Sequence, residues 1–155
     1  MRGKGKERKK PGGKMFEYIV VLILTIAAEV GIPPNFALAI ALEENPRLDP
    51  LAQYVNEDGT IDRGIMQLNS SWYNGNWQDP ETNIRAGCLH IKSLIQEEVL
   101  NTYWAVAVAY NCGYARYTSE RGPPESSAGY GARVMHRWHE LEGVQYINPV
   151  IRRVK

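Results

Sequence analysis

The chain has 155 residues, 44% hydrophobic and 23% charged, with a formal net charge of +1. This is an ordinary globular composition with room for one core, which needs neither metal nor disulfide to hold it. Residues 1–14 carry seven Lys or Arg and one Glu, which puts +6 there and −5 on the other 141 residues; an acidic body argues against a nucleic-acid-binding fold.

Residues 1–14, with Pro11-Gly12-Gly13, lack apolar periodicity and read as a disordered basic arm. Such an arm is most often a solvated or targeting tail, although its charge suits anionic lipid, nucleic acid or peptidoglycan carboxylates. Residues 15–28 follow as an apolar segment, with Tyr18 to Ala28 apolar on every side. At about eleven residues this run is too short to span a bilayer. A basic stretch, an apolar block and the small residues Ala27 and Ala28 have the layout of a signal peptide, which Glu17 interrupts. The competing reading is a buried first helix ended by Gly31, before Pro33-Pro34.

Asn35 is placed to cap a helix over Phe36 to Glu44, and Pro46 ends it by disfavouring helical geometry just before itself. Leu48 to Ser71 is rich in loop formers, with Asp58-Gly59 as a turn or hairpin tip. Asp79 reads as the N-cap of a third helix, with Pro80 first and Glu81 in the first turn. Its apolar face is Ile84, Cys88, Ile91 and Ile95. Asn101 to Tyr110 is a further apolar helix, small enough in its side chains for the middle of a bundle. Ser119 to Ser127 reads as a loop, and Ala128 to Leu141 as a closing helix with Val134, Trp138 and Leu141 inward. The expected architecture is mainly α, with a loop-rich or short β excursion around residues 48–72. Residues 29–142 form the domain and 143–155 a C-terminal tail.

Cys88 and Cys112 either bridge or remain thiols. His90, His136 and His139 lack zinc-site spacing and read as packed or surface residues. No metal or other cofactor is expected.

Five ordered motifs carry the functional signal. They are the apolar helix end Leu38-Ala39-Ile40-Ala41-Leu42-Glu43-Glu44-Asn45; Gly64-Ile65-Met66-Gln67-Leu68; Asp79-Pro80 with Asn83-Ile84 and Gly87; Ala109-Tyr110-Asn111-Cys112-Gly113; and Tyr130 to Val134. In this order, over residues 30–138, they resemble the soluble lytic transglycosylases, lysozyme-like helical domains with a catalytic cleft. The stretch Asn56 to Gly64 is similar to the small muramidases that accompany secretion systems, conjugation machines and phage tails. It is also similar to c-type lysozymes, whose eight-cysteine framework is absent here. Two departures stand out: Asn45 follows the catalytic position where the family has Ser, and Cys112 replaces a small Ala.

The resemblance implies that Glu44, rather than Glu43, is the general acid and then base. It implies peptidoglycan glycan strands as the substrate, cleaved between MurNAc and GlcNAc to leave 1,6-anhydro ends. Gln67, Asn111 and Asn45 are candidate binders of the sugar, Met66 an apolar wall, and Tyr110 a partner for Glu44 or for an acetamido oxygen. Asp62 is a possible second carboxylate. At about 5–9 Å across the cleft it permits a hydrolytic, lysozyme-like outcome; otherwise it braces the Gly59 turn, as Asp in such turns commonly does. Trp72 and Trp77 are candidate saccharide platforms, while Trp104 and Trp138 read as core. A monomer is expected in the cell envelope or periplasm, exported, or in a phage virion, with secretion, conjugation or phage-tail machinery as possible partners. The reading from a different class is a weakly catalytic, glycan-binding assembly protein.

The chemistry is consistent with these roles. A free Glu titrates near ~4.3 and is ionised at neutral pH. Burial against apolar neighbours opposes the charge and keeps the proton available for the leaving oxygen.

Overall fold

The computed structural model describes residues 13–144 and 148–153. Helices α1 (Gly13–Val30), α2 (Pro34–Glu44), α3 (Pro80–Ile95), α4 (Tyr103–Cys112), the short α5 (Tyr114–Tyr117) and α6 (Glu125–Glu142) accompany a small antiparallel sheet. Its strands are β1 (Gln53–Val55), β2 (Ile61–Arg63) and β3 (Leu68–Asn69), in that order. The fold is mainly helical with a β excursion, as expected of a lysozyme-like domain.

Helix α1 takes up the whole apolar run and begins within the expected arm, at Gly13 and Lys14; residues 1–12 lie outside the described residues. Ile19, Ile23 and Ala27 are fully buried, whereas Tyr18 and Val21 are 56% and 61% exposed. The run is apolar all round but buried on one side only. Its buried face packs on α2 and α3. In the structure the segment is the first helix of the core, and cutting after Ala28 would strip Ile19, Ile23 and Ile26 from it. Burying each such side chain contributes about 1.5–3 kcal/mol. Among the described residues no helix is long and apolar enough to cross a membrane.

Helix α2 starts earlier than expected. Pro33 is its N-cap residue and Pro34 its first residue, so Asn35 lies inside the helix and caps nothing; a fixed proline φ suits a first helical turn, where no N–H partner is needed. Helix α3 begins as expected, with the Asp79 carboxylate accepting from Thr82 N at 2.9 Å. Ile84, Cys88 and Ile91 are completely buried, with Leu94 at the far end of the face and Ile95 only partly covered. Thr102 caps α4 by accepting from Ala105 N at 3.1 Å, and Gly113, at φ 87°, ends it. Every residue from Ala105 to Ala109 is buried, which makes α4 the central helix. A Cβ at Gly131 would lie 2.6 Å from Val108 Cγ2, so α6 reaches α4 closely only because that position is glycine. Phe36, Tyr103 and Trp138 form an aromatic cluster with centroids 5.0–5.1 Å apart.

Helix α6 begins at Glu125, inside the expected loop, and its inward residues include Tyr130, Val134, Met135 and His139. Leu141 is 39% exposed in the last turn, contrary to expectation. The described end of the C-terminal segment is not a loose tail. Val150 bridges to Thr102, Ile151 N donates to Asn101 O at 2.9 Å, and Ile151 is buried. Arg153 donates to Ile95 O at 3.0 Å, a carbonyl left over where α3 ends, and to Leu100 O at 2.8 Å in the loop before α4.

The excursion is a hairpin. Strand β1 pairs with β2 in the register Gln53↔Arg63 and Val55↔Ile61, closed by Asn56 N donating to Thr60 O at 2.8 Å. Gly59, at φ 83°, takes the left-handed turn position. Strand β3 then sets Asn69 opposite Asp62.

Candidate active site

A cleft of about 660 Å³ lies between the hairpin and the helices, lined by Glu44, Asp62, Gln67, Trp72, Tyr110 and Asn111 among others. The end of α2 delivers Glu44 to it. Burial pushes the Glu44 carboxyl up from 4.5 to about 7. The Tyr130 hydroxyl opposes that rise, while the charges of Asp62 and Glu43 add to it. Burial dominates because a carboxylate in this position exchanges water for packed side chains. Tyr130 on α6 is itself buried, its hydroxyl beside the Glu44 carboxyl but short of a well-formed hydrogen bond.

Tyr110 does not hydrogen-bond Glu44. Its hydroxyl donates to Met66 O at 2.5 Å, tying α4 to the loop before β3. Burial, and then the nearby Glu44 charge, hold that phenol well above its ordinary pKa, so it remains a donor. Met66 is no cleft wall. It is fully buried, and its side chain packs where a Cβ on Gly87 would fall, 2.6 Å from Met66 Cγ. Asn45 is likewise no binder of sugar: it is buried, donating to Asp49 O at 2.9 Å and Gly64 O at 3.3 Å and accepting from Asp49 N at 3.2 Å. It shapes the turn after α2, where the family has Ser.

Gln67 and Asn111 do line the cleft. Gln67 holds a left-handed φ of 52°, with its amide nitrogen donating to Gly64 O at 2.9 Å. A non-glycine residue in that region is strained, which neighbouring structure must over-determine. Asn111 is exposed, its amide oxygen accepting from Ser127 Oγ at 2.7 Å.

Asp62 does not brace the Gly59 turn. That role belongs to Asp58, which accepts from Thr60 N at 2.9 Å and Thr60 Oγ1 at 2.6 Å. Asp62 lies on β2 facing the cleft, its Oδ1 accepting from Asn69 Nδ2 at 2.8 Å. Trp72 is on the cleft, 47% exposed, its ring tilted by 35° against His90 at a centroid distance of 4.7 Å. Trp77 instead lies under the Arg63 guanidinium, 5.4 Å from its ring centroid, and is not among the cleft-lining residues.

Three residues of this architecture were not given roles from the sequence. Tyr130 stood within a recognised motif, but its approach to Glu44 depends on α6 folding back. His90 sits between Trp72 and Tyr110 in the cleft, and its position on the α3 periodicity gave no hint of that. Asn83 is buried and holds the loop from inside, accepting from Met66 N at 2.8 Å and donating to Arg63 O at 3.1 Å; it too stood within a recognised motif, and its polar side chain on the apolar face of α3 was the further signal. Cys88 and Cys112 are both free thiols, the first in the core and the second at the cleft.

The family model of the transglycosylase SLT domain matches residues 22–131, from within α1 to the middle of α6. The chain belongs to that family. A search of curated proteins finds no match. As an SLT domain the chain is of the lytic transglycosylase type, with peptidoglycan as substrate and an extracytoplasmic place of action. The matched span of this SLT domain contains Glu44, Asp62, Gln67, Tyr110, Asn111 and Tyr130, and thus both sides of the cleft.

Proposed function

We propose that the protein cleaves the β-1,4 bond between MurNAc and GlcNAc with Glu44 as its single general acid and base, leaving 1,6-anhydro-MurNAc ends. The observation that carries this reading is a half-buried carboxyl at the end of α2, facing the cleft, whose pKa burial raises to about 7. Glu44 protonates the bridging oxygen as positive charge develops at C1, with the substrate's own N-acetyl carbonyl assisting. The resulting carboxylate then takes the proton of the C6 hydroxyl as that oxygen attacks C1, so no water is consumed. General acid–base help of this kind is worth about 10²–10⁴-fold. Gln67 and Asn111 line the path of the glycan, with Trp72 as a stacking surface at the cleft. The unit acting in this way extends from α1 to Arg153, since both ends pack on the core.

Hydrolysis is the second reading, and a specific observation favours it: Asp62 faces the same cleft and its charge reaches Glu44. In that case Asp62 stabilises the cation or activates water. Mass spectrometry of digested cell wall separates the two. Anhydro ends that vanish in Glu44→Gln are expected, and reducing ends alone would establish hydrolysis. Wall binding with unchanged behaviour in Glu44→Gln would instead support a glycan-binding assembly protein.

A further inference from the structure

The two glutamates at the end of α2 meet opposite surroundings. Glu44 turns into the cleft, whereas the Glu43 side chain, 12% exposed, turns to α6. There Arg133 Nε donates to Glu43 Oε1 at 2.5 Å and Arg137 Nη2 to Glu43 Oε2 at 3.3 Å. The arginines are one helical turn apart, so each serves a different oxygen and the carboxylate is held at two points. A carboxylate adjacent to the catalytic acid repels the charge that Glu44 must acquire, and that influence is present here. How strongly it acts depends on how well the guanidinium groups balance it.

We infer that Arg133 and Arg137 are positioning residues that act through Glu43, fixing and balancing its charge beside the catalytic acid and so setting the pH range in which that acid stays protonated. The inference rests on the reading of Glu44 as that acid. The other groups around Glu44 are Asp62 from β2, Tyr110 from α4 and Tyr130 from α6, with His90 of α3 on the same cleft; beside Glu43 and the arginines stand His136 and Glu140 of α6, paired with each other at 3.0 Å.

The sign follows from proton delivery. Activity falls as pH rises through the Glu44 pKa, so the alkaline limb of kcat/KM reports it. Replacing the arginines leaves Glu43 unbalanced and moves that limb up; Glu43→Gln removes the charge and moves it down. Partly exposed ion pairs of this kind correspond to about 0.2–0.7 of a pH unit.

The test is the pH profile of wall cleavage by the full chain in three variants: Arg133→Gln/Arg137→Gln, Glu43→Gln, and all three changes together, each checked for folding by circular dichroism. Opposite displacements in the first two, with the upward shift abolished in the triple variant, are expected. A limb that stays still, or moves the same way in both, would overturn the inference. Arg133→Gln alone, at the more exposed arginine, provides a smaller upward shift should the double variant fold poorly. Glu44→Gln is the separate control: if it retains activity, the reading of Glu44 as the acid fails, whatever the arginines do.

Discussion

The two walls of the cleft treat their carboxyl groups in contrasting ways. On the helical wall, Glu44 is enclosed by packed side chains, with Tyr130 alone opposing the loss of its charge, and its proton is retained to about pH 7. On the strand wall, Asp58 and Asp62 are met by donors: Thr60 for the first and Asn69 for the second. Those Thr60 hydrogen bonds hold Asp58 below its ordinary range. Glu44 and Asp58, two carboxyl groups on one cleft, are therefore displaced in opposite directions by their neighbours. Packed neighbours favour the acid form and donors the anion.

The largest test of this contrast is Glu44→Gln, which should lower wall cleavage by about 10²–10⁴-fold, measured as release of soluble glycan. The same variant should alter stability with a defined sign. Glu44 binds its proton more tightly folded than unfolded, so the folded protein loses stability as pH rises from 4.5 to about 7. Chemical denaturation should find the variant and wild type alike near pH 4. Above pH 7 the variant should be more stable, by at most about 3 kcal/mol.

Next in size is Gly64→Ala, at the hinge where the strand wall meets α3. A Cβ there would fall 2.3 Å from Asn83 Nδ2 and 2.7 Å from Trp77 O, at a φ of 78°. Thermal melts should report a loss of about 2–4 kcal/mol, from overpacking together with a left-handed backbone. Tyr110→Phe should be milder. It leaves Met66 O without its donor, worth about 1–3 kcal/mol, and should loosen the tie between α4 and the strand wall without removing the acid.

The smallest expected effect is that of Asp62→Asn. If the helical wall alone supplies the chemistry, cleavage should stay within about tenfold of wild type and the ends should remain anhydro, since one interaction worth 1.4 kcal/mol is a factor of ten. A much greater loss would show that the strand wall takes part in the reaction, and would make the two walls partners in hydrolysis.

Much of the fold was legible because local rules act over short spans. Asp79-Pro80 marked the start of α3, Pro46 followed the end of α2, and Asp58-Gly59 marked the hairpin tip. Asn35 misled because Pro33-Pro34 offered an equally good start two residues earlier. The apolar run before Ala28 misled because nearly every position in it is hydrophobic, so periodicity could not reveal which face is covered. Met66 and Asn45 were assigned to the substrate by their place in motifs, yet a motif does not state whether a side chain points to the cleft or into the core.

The sequence alone determined that helices dominate, that an apolar helix ends in a carboxylate, and that five motifs occur in the order of a wall-cleaving family. Motif order already singled out Glu44 over Glu43, but only the tertiary structure decided what surrounds each of the two. Arg133 and Arg137 reach Glu43 from 90 and 94 positions away, and Tyr110 reaches Met66 across 44. Burial and pairing set the chemistry of a carboxyl, and both are supplied here by segments far apart in the chain, so no local pattern encodes them.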